Sequence, residues 1–336
     1  MRRGPRNLVT DVPGLAVGNA HDARVMSGVT VLVGERAFTA AVDARGGGVA
    51  SRDCDALAPT GTVDQVHAIA LSGGSAFGLS AATGVQGVLA ERGIGYQVRS
   101  ARVPIVPGAI LFDLLNGGDK SWGRTPPYEA LAAEAAERAG HDFDIGSAGA
   151  GYGATCADLR GGLGSASAIL DDGTVVGAIV AVNPAGNVTI ADGPSFWAGP
   201  FAIGDELASP PWPSPLPPDT HHPRLKGMAG ESTTLAIVAT SAALTKQQAQ
   251  RLAIMAQTGL ARAIFPVHTP LDGDIVFAVA TGATAPPADV AALAELGAAG
   301  ATVLARAVAR GVRYAAPVPP GWAGPTAWAQ RFGRSN

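Results

Sequence analysis

An α/β fold is what this sequence predicts, and three observations predict it. Short apolar runs rich in Val, Ile and Ala alternate with longer segments whose Ala, Leu and Glu recur at helical spacing. Glycine-rich turns join the two kinds of segment, as at Ser72-Gly73-Gly74-Ser75 and Arg45-Gly46-Gly47-Gly48. Hydrophobic residues make up 47% of the 336 and charged residues 15%, with mean hydropathy +0.21. That balance suits a compact, heavily buried protein that also buries surface against copies of itself. A chain of this length can close its core as one large domain or two small ones.

The elements follow in order. Val29–Val33 reads as a strand, entered through Ser27-Gly28 and left at Gly34, and Phe38–Asp43 as a second one. His67–Leu71 is a third, running into the Gly73-Gly74 turn and then a helix over 77–92. Residues 126–139 carry Glu and Ala at helical spacing, with Gly140 as the stop. Gly162–Leu170 and Thr174–Val182 form a hairpin about Asp171-Asp172-Gly173. Residues 196–231 are loop, because the Pro-rich run from Pro210 to Pro218 cannot form regular structure. A strand (233–240), an amphipathic helix (245–263), a strand (274–280) and an Ala-rich helix (287–311) complete the pattern, and the tail from Pro317 reads as peripheral.

Several function classes are excluded as expectations. Net charge is −3, no basic run is present and aromatic residues are 5%, so there is no nucleic-acid footprint. No stretch reads as a membrane span, and the basic start Met1–Asn7 lacks the apolar segment of a secretory signal. Cys54 and Cys156 lie far apart, without metal or redox spacing, and read as reduced thiols of a cytoplasmic protein. The histidines show no ligand spacing, so no catalytic metal and no cofactor is expected.

The chemistry-bearing segments each carry two readings. Glu231-Ser232-Thr233-Thr234 closes the long loop and opens directly into an apolar strand. A hydroxyl there is loop punctuation, or the nucleophile of a chain that cuts itself and uses the new α-amine as base. The Gly73-Gly74 turn before a helix is either tight packing or a row of backbone N–H groups for an anion or oxyanion. Gly149-Ala150-Gly151-Tyr152-Gly153-Ala154 fits a dinucleotide fingerprint, but no amphipathic helix follows, which favours close backbone packing or a substrate wall. Asn183-Pro184 is a turn or an amide donor to an oxyanion. Asp272-Gly273-Asp274 is a turn or a carboxylate pair that positions an ammonium group.

Together these segments resemble the self-cleaving N-terminal-nucleophile hydrolases: the DmpA-type L-aminopeptidase/D-esterases, the β-peptidyl aminopeptidases and the nylon-oligomer (6-aminohexanoate oligomer) hydrolases. The resemblance runs from Asp11-Val12-Pro13-Gly14 to the last long helix. It rests on Ala41-Val42-Asp43-Ala44-Arg45-Gly46-Gly47, the Ser72-to-Leu79 turn, Gly161-Gly162-Leu163-Gly164-Ser165, Val182-Asn183-Pro184, Ser232-Thr233-Thr234-Leu235, Gly259-Leu260-Ala261-Arg262, and His268-Thr269 followed by Asp272-Gly273-Asp274.

The resemblance implies an α/β/β/α four-layer sandwich and one catalytic domain spanning 1–336. It implies cleavage of the Ser232–Thr233 bond into an α chain (1–232) and a β chain (233–336), assembled as homo-oligomers of αβ units, with a tetramer favoured. It also implies Thr233 as nucleophile, Asn183 as oxyanion donor and Asp272 with Asp274 near the new amine, acting on small amides, peptides or oligoamides. Gly73, Gly74, Phe77 and Arg160 are carried over as substrate or oxyanion residues. Three positions depart from the pattern: Arg160 stands where relatives often have Lys and cannot release a proton near neutrality, Phe77 replaces an active-site Tyr, and Ser232 replaces the usual Asn or Gly before the cut. An acyl transferase using the same Thr, or a binding protein on the same scaffold, is the alternative.

Overall fold

The computed structural model describes residues 1–208, 210–227 and 231–333. Positions 209 and 228–230 of the long loop and the last three of the tail lie outside the described residues. Eight main strands are β1 (Leu15–Asp22), β2 (Ser27–Ala44), β3 (Val66–Ser72), β4 (Gly108–Ile110), β5 (Gly162–Ile169), β6 (Val175–Asn183), β7 (Thr233–Ala242) and β8 (Ile275–Thr284). The helices are α1 (Ala81–Glu91), α2 (Tyr128–Glu137), α3 (Lys246–Ala261), α4 (Val290–Arg313) and α5 (Trp328–Phe332).

Side-chain alternation divides these strands into two stacked sheets. Along β6, Val176, Ala178 and Val180 enter one apolar core while Ile179 and Ala181 enter another. The pattern repeats in β7, with Ala236 and Val238 against Leu235 and Ile237, and in β8, with Val276 and Ala278 against Ile275 and Phe277. The first core lies under α3 and α4, through Leu252, Ala256, Val303 and Val308. The second holds Leu32, Ile69 and Leu71 of the other sheet. That sheet's remaining face, Val29, Val31, Ala68 and Ala70, meets Val85, Leu89, Leu131 and Ala135 of α1 and α2. Three cores separate four layers, α/β/β/α. Strands buried on both faces read as continuous apolar runs, which is why they were visible in the sequence.

The two expected strands at 29–33 and 38–43 are one. Its first half pairs with β1 and β3, and its second half, Thr39–Ala44, pairs with β8. A register shift between Val33 and Phe38 bends it from one sheet into the other. β1 was not expected as a strand, although Pro13-Gly14, with Gly14 at φ 86°, marks the turn that opens it. The helix foreseen over 77–92 begins as a 3-10 turn, Ser75–Ser80.

Two further expectations are corrected. α4 is long and apolar enough, by length and composition, to cross a membrane. Its apolar residues instead cover β5 and β6, and the buried Arg306 on it binds Glu206 at 2.6 Å, tying the long loop to the core. The tail is not peripheral either. Trp328 is fully buried, stacked on Phe196 at 5.7 Å, with the Arg313 guanidinium over its ring at 4.4 Å.

Candidate active site

Topology brings the hydroxyl run, Asn183 and the acidic turn to one edge. β6 runs antiparallel to β7, so β6 ends where β7 begins, and the register sets Asn183 directly opposite Thr233. β8 runs parallel to β7, so the turn leading into β8 arrives at the same edge, and Ser232 bridges to Asp272. Ser232, Thr233, Asn183, Asp272 and Asp274 are all buried.

Thr233 Oγ1 donates to the carbonyl oxygen of Ser232 at 2.5 Å. The Gly273 backbone N–H donates to the same oxygen at 2.8 Å. The neighbouring hydroxyls, Ser232 Oγ and Thr234 Oγ1, are buried without a hydrogen-bond partner among the described residues. Of the three hydroxyls, Thr233's alone lies on the preceding carbonyl, and a backbone donor is already aimed at the oxygen that would take charge if that carbonyl were attacked.

The acidic pair braces this edge. Asp274 Oδ1 accepts from the Thr234 N–H at 2.8 Å, and its Oδ2 meets the backbone N–H (3.1 Å) and Nδ1 (2.9 Å) of His268. Asp272 Oδ1 accepts from the Ala185 N–H at 2.8 Å, and its Oδ2 accepts from the N–H and hydroxyl of Thr269. The carboxylates thus clamp the residue after Thr233 and the segment after Asn183. Burial, with Asp274 beside it, pushes the Asp272 carboxyl above its ordinary range.

Glycines permit the close approach. The Arg45 and Gly46 N–H groups bond the Asp274 carbonyl, and a Cβ on Gly46 would stand 2.3 Å from the Asp274 nitrogen. A Cβ on Gly273 would stand 2.6 Å from Thr233 Oγ1 and 2.8 Å from the Gly48 carbonyl. Gly273→Ala is therefore expected to displace the hydroxyl and slow any reaction at Ser232–Thr233 by roughly 5- to 100-fold, because overpacking a tight site costs about 1–3 kcal/mol. A time course on a denaturing gel, with circular dichroism to verify folding, checks this.

Asn183 is fully buried and its amide is fixed at both ends. Oδ1 accepts from the Thr155 N–H at 2.9 Å and from Lys226 Nζ at 2.8 Å. Nδ2 donates to the Phe112 carbonyl at 3.1 Å and reaches the Glu231 carbonyl at 3.4 Å. Lys226 was not foreseen. The chain has three lysines, and one of them seven residues before Thr233, in a loop otherwise rich in Pro and His, was the available signal. Phe112, Asp113, Thr155, Lys226 and Glu231 line a cavity of about 250 Å³ beside Asn183. A larger cavity of about 780 Å³ lies by Thr174 and Thr284, at the opposite ends of β6 and β8, and holds none of these groups.

Four expected site residues stand elsewhere. Arg160 is buried with its guanidinium on the carbonyls of Ala316, Pro317 and Tyr152 and over the Trp322 ring at 4.8 Å, so it anchors the tail. The Gly73 N–H is taken by the Gly28 carbonyl and the Gly74 N–H by Asp113 Oδ1, leaving neither for an oxyanion. Phe77 leaves the 3-10 turn half exposed against Trp122, outside the cavity lining that Phe112 supplies. Within Gly149–Ala154, Gly151 packs where a Cβ would stand 2.0 Å from the Leu163 nitrogen, and Gly153 lines the cavity.

The profile described as "Peptidase family S58" matches residues 7–323, which include the whole of this edge. The chain belongs to peptidase family S58. It is 40% identical over 339 residues to an uncharacterized aminopeptidase of Mycobacterium tuberculosis, covering 93% of this chain and 95% of that one. It is 31% identical over 296 residues to a 6-aminohexanoate-oligomer endohydrolase of a Kocuria species, covering 83% of this chain and 76% of the other. The L-aminopeptidase D-Ala-esterase/amidase of Ochrobactrum anthropi, described as a variant of the Ntn hydrolase fold, shares the fold with a TM-score of 0.69 at 18% identity, over 99% of this chain and 96% of that one. This S58 chain is accordingly an enzyme of the peptidase class, built on the four-layer fold expected from its sequence.

Proposed function

We propose that this S58 chain is a self-processing amide hydrolase whose nucleophile is Thr233 and whose substrates are small amides, peptides or linear amide oligomers. The observation that carries the reading is the Thr233 hydroxyl on the Ser232 carbonyl at 2.5 Å, with the Gly273 N–H on the same oxygen. In the processing step Thr233 Oγ bonds to the Ser232 carbonyl carbon and the oxyanion rests on the Gly273 N–H. The Ser232–Thr233 C–N bond breaks, and the Oγ proton passes to the departing nitrogen. Water then hydrolyses the ester, leaving Ser232 as a carboxylate and Thr233 with a free α-amine.

That amine has a reference pKa of about 7.7–8.0, suited to a base near neutrality. It takes the Oγ proton as Oγ attacks a substrate amide. Asn183 Nδ2, free to leave the Glu231 carbonyl once the segment before the cut is released, donates to the substrate oxyanion. The amine product departs with a proton, and water discharges the acyl-enzyme. The acidic pair holds Thr234 and Ala185 in place throughout. The relatives' names, aminopeptidase and 6-aminohexanoate-oligomer endohydrolase, support the substrate class, and the cavity beside Asn183 has room for a short amide.

Incubation with short amino-acid amides and linear amide oligomers, quenched in acid and digested, tests this. A peptide beginning at Thr233 is expected to carry the mass of the substrate's acyl half. Hydrolysis with the acyl group on any other residue rules out Thr233.

A further inference from the structure

The sequence offered Arg160 as the cation of the site, and the structure turns Arg160 away to the tail. Lys226 supplies a cation instead. Its Nζ reaches the Thr155 carbonyl at 2.6 Å, the Thr155 hydroxyl at 3.0 Å, the Asn183 carbonyl at 3.2 Å and Asn183 Oδ1 at 2.8 Å. Its backbone N–H is pinned to the Ala185 carbonyl at 2.9 Å, immediately past Asn183-Pro184. The residue as a whole keeps some exposure, but its ammonium end lies deep.

A carboxamide can flip, and only one orientation presents a donor. With Oδ1 held by Lys226 and the Thr155 N–H, Nδ2 has to face Phe112 and Glu231, the side from which the scissile segment enters. A cation on Oδ1 also polarises the amide and strengthens Nδ2 as a donor. We propose that Lys226 is the positioning residue of Asn183, fixing and polarising its side chain so that Nδ2 can stabilise an oxyanion. The inference rests on the reading of Asn183 given above. Lys226 lies before the cut, so after processing the C-terminal end of the α chain supplies this part of the site.

Burial pulls the Lys226 ammonium down to about 8, and the groups that face it are Cys156, Asp272, Glu231 and Asp113. The hold on Asn183 therefore weakens as pH rises through about 8.

The test is a double-mutant cycle with Lys226→Met and Asn183→Ala, reading processing half-time and the kcat of matured enzyme. Lys226→Met is expected to lower kcat at least ~10-fold with little change in KM, and the double variant to be no slower than Asn183→Ala alone. A slow Asn183→Ala beside a wild-type Lys226→Met overturns the Lys226 proposal and leaves the Asn183 reading standing. Additive losses overturn it as well, because Lys226 would then act elsewhere. A wild-type Asn183→Ala overturns both. Should Lys226→Met fail to fold, Lys226→Arg decides. Arg keeps its proton, so the alkaline fall of kcat should move upward by at least one pH unit, and an unmoved limb contradicts the proposal.

Discussion

Thr233→Ala is expected to leave the chain at its full 33.6 kDa on a denaturing gel and without amide hydrolysis. The substitution removes the one hydroxyl that lies on the Ser232 carbonyl, and the proposed mechanism requires the same atom in the processing step and in turnover. Little else should change, because Thr233 Oγ1 supports no other element and the strand register at Thr234 is held by Asp274. Thr233→Ser should keep part of both reactions. If Thr233→Ala is still cut at the same bond, the nucleophile is misassigned. Ser232 Oγ and Thr234 Oγ1, both buried and without a partner among the described residues, would then be the remaining hydroxyls.

Asn183→Ala is the second large effect, a fall in kcat on the order of 10²–10³ with a smaller change in KM, the usual loss on removing an oxyanion donor. It carries a stability penalty too. The Thr155 N–H loses its partner, worth about 1–3 kcal/mol when left buried, while Lys226 keeps the Thr155 carbonyl and hydroxyl and the Asn183 carbonyl as acceptors. Circular dichroism and the melting temperature separate the two effects. A folded, processed Asn183→Ala enzyme with wild-type kcat would remove Asn183 from catalysis and leave backbone donors such as the Gly273 N–H.

The sequence carried the layers better than the loops. Strands such as Val175–Asn183 and Thr233–Ala242 are buried on both faces, so their apolar runs announce themselves without tertiary knowledge. α3 has a Thr245/Gln248 capping box that marks its start. The hydroxyl run, Asn183 and the acidic turn were legible because each stands where a strand begins or ends, and sheet pairing brings strand ends together.

What was not legible depends on contacts between distant segments. Lys226 and Arg160 are both basic residues in irregular chain, and only the folded tail, by offering Arg160 two carbonyls and the Trp322 ring, decides which of them faces Asn183. Phe77 and Phe112 are each aromatic residues near the end of a strand, and the 3-10 turn after Gly74 sends Phe77 outward. Gly73 and Gly74 carried the right turn chemistry for an oxyanion site, but Asp113 and Gly28 take their N–H groups.

The central claim is a cut between Ser232 and Thr233, made by Thr233 itself. N-terminal sequencing of the purified wild-type protein, after its fragments are separated under denaturing conditions, tests it most directly. Two fragments of ~23 and ~10 kDa are predicted, by scaling chain mass to residue count, and the smaller should begin Thr233-Thr234-Leu235. A single intact chain with full amidase activity, or a small fragment beginning at any other residue, would contradict the account.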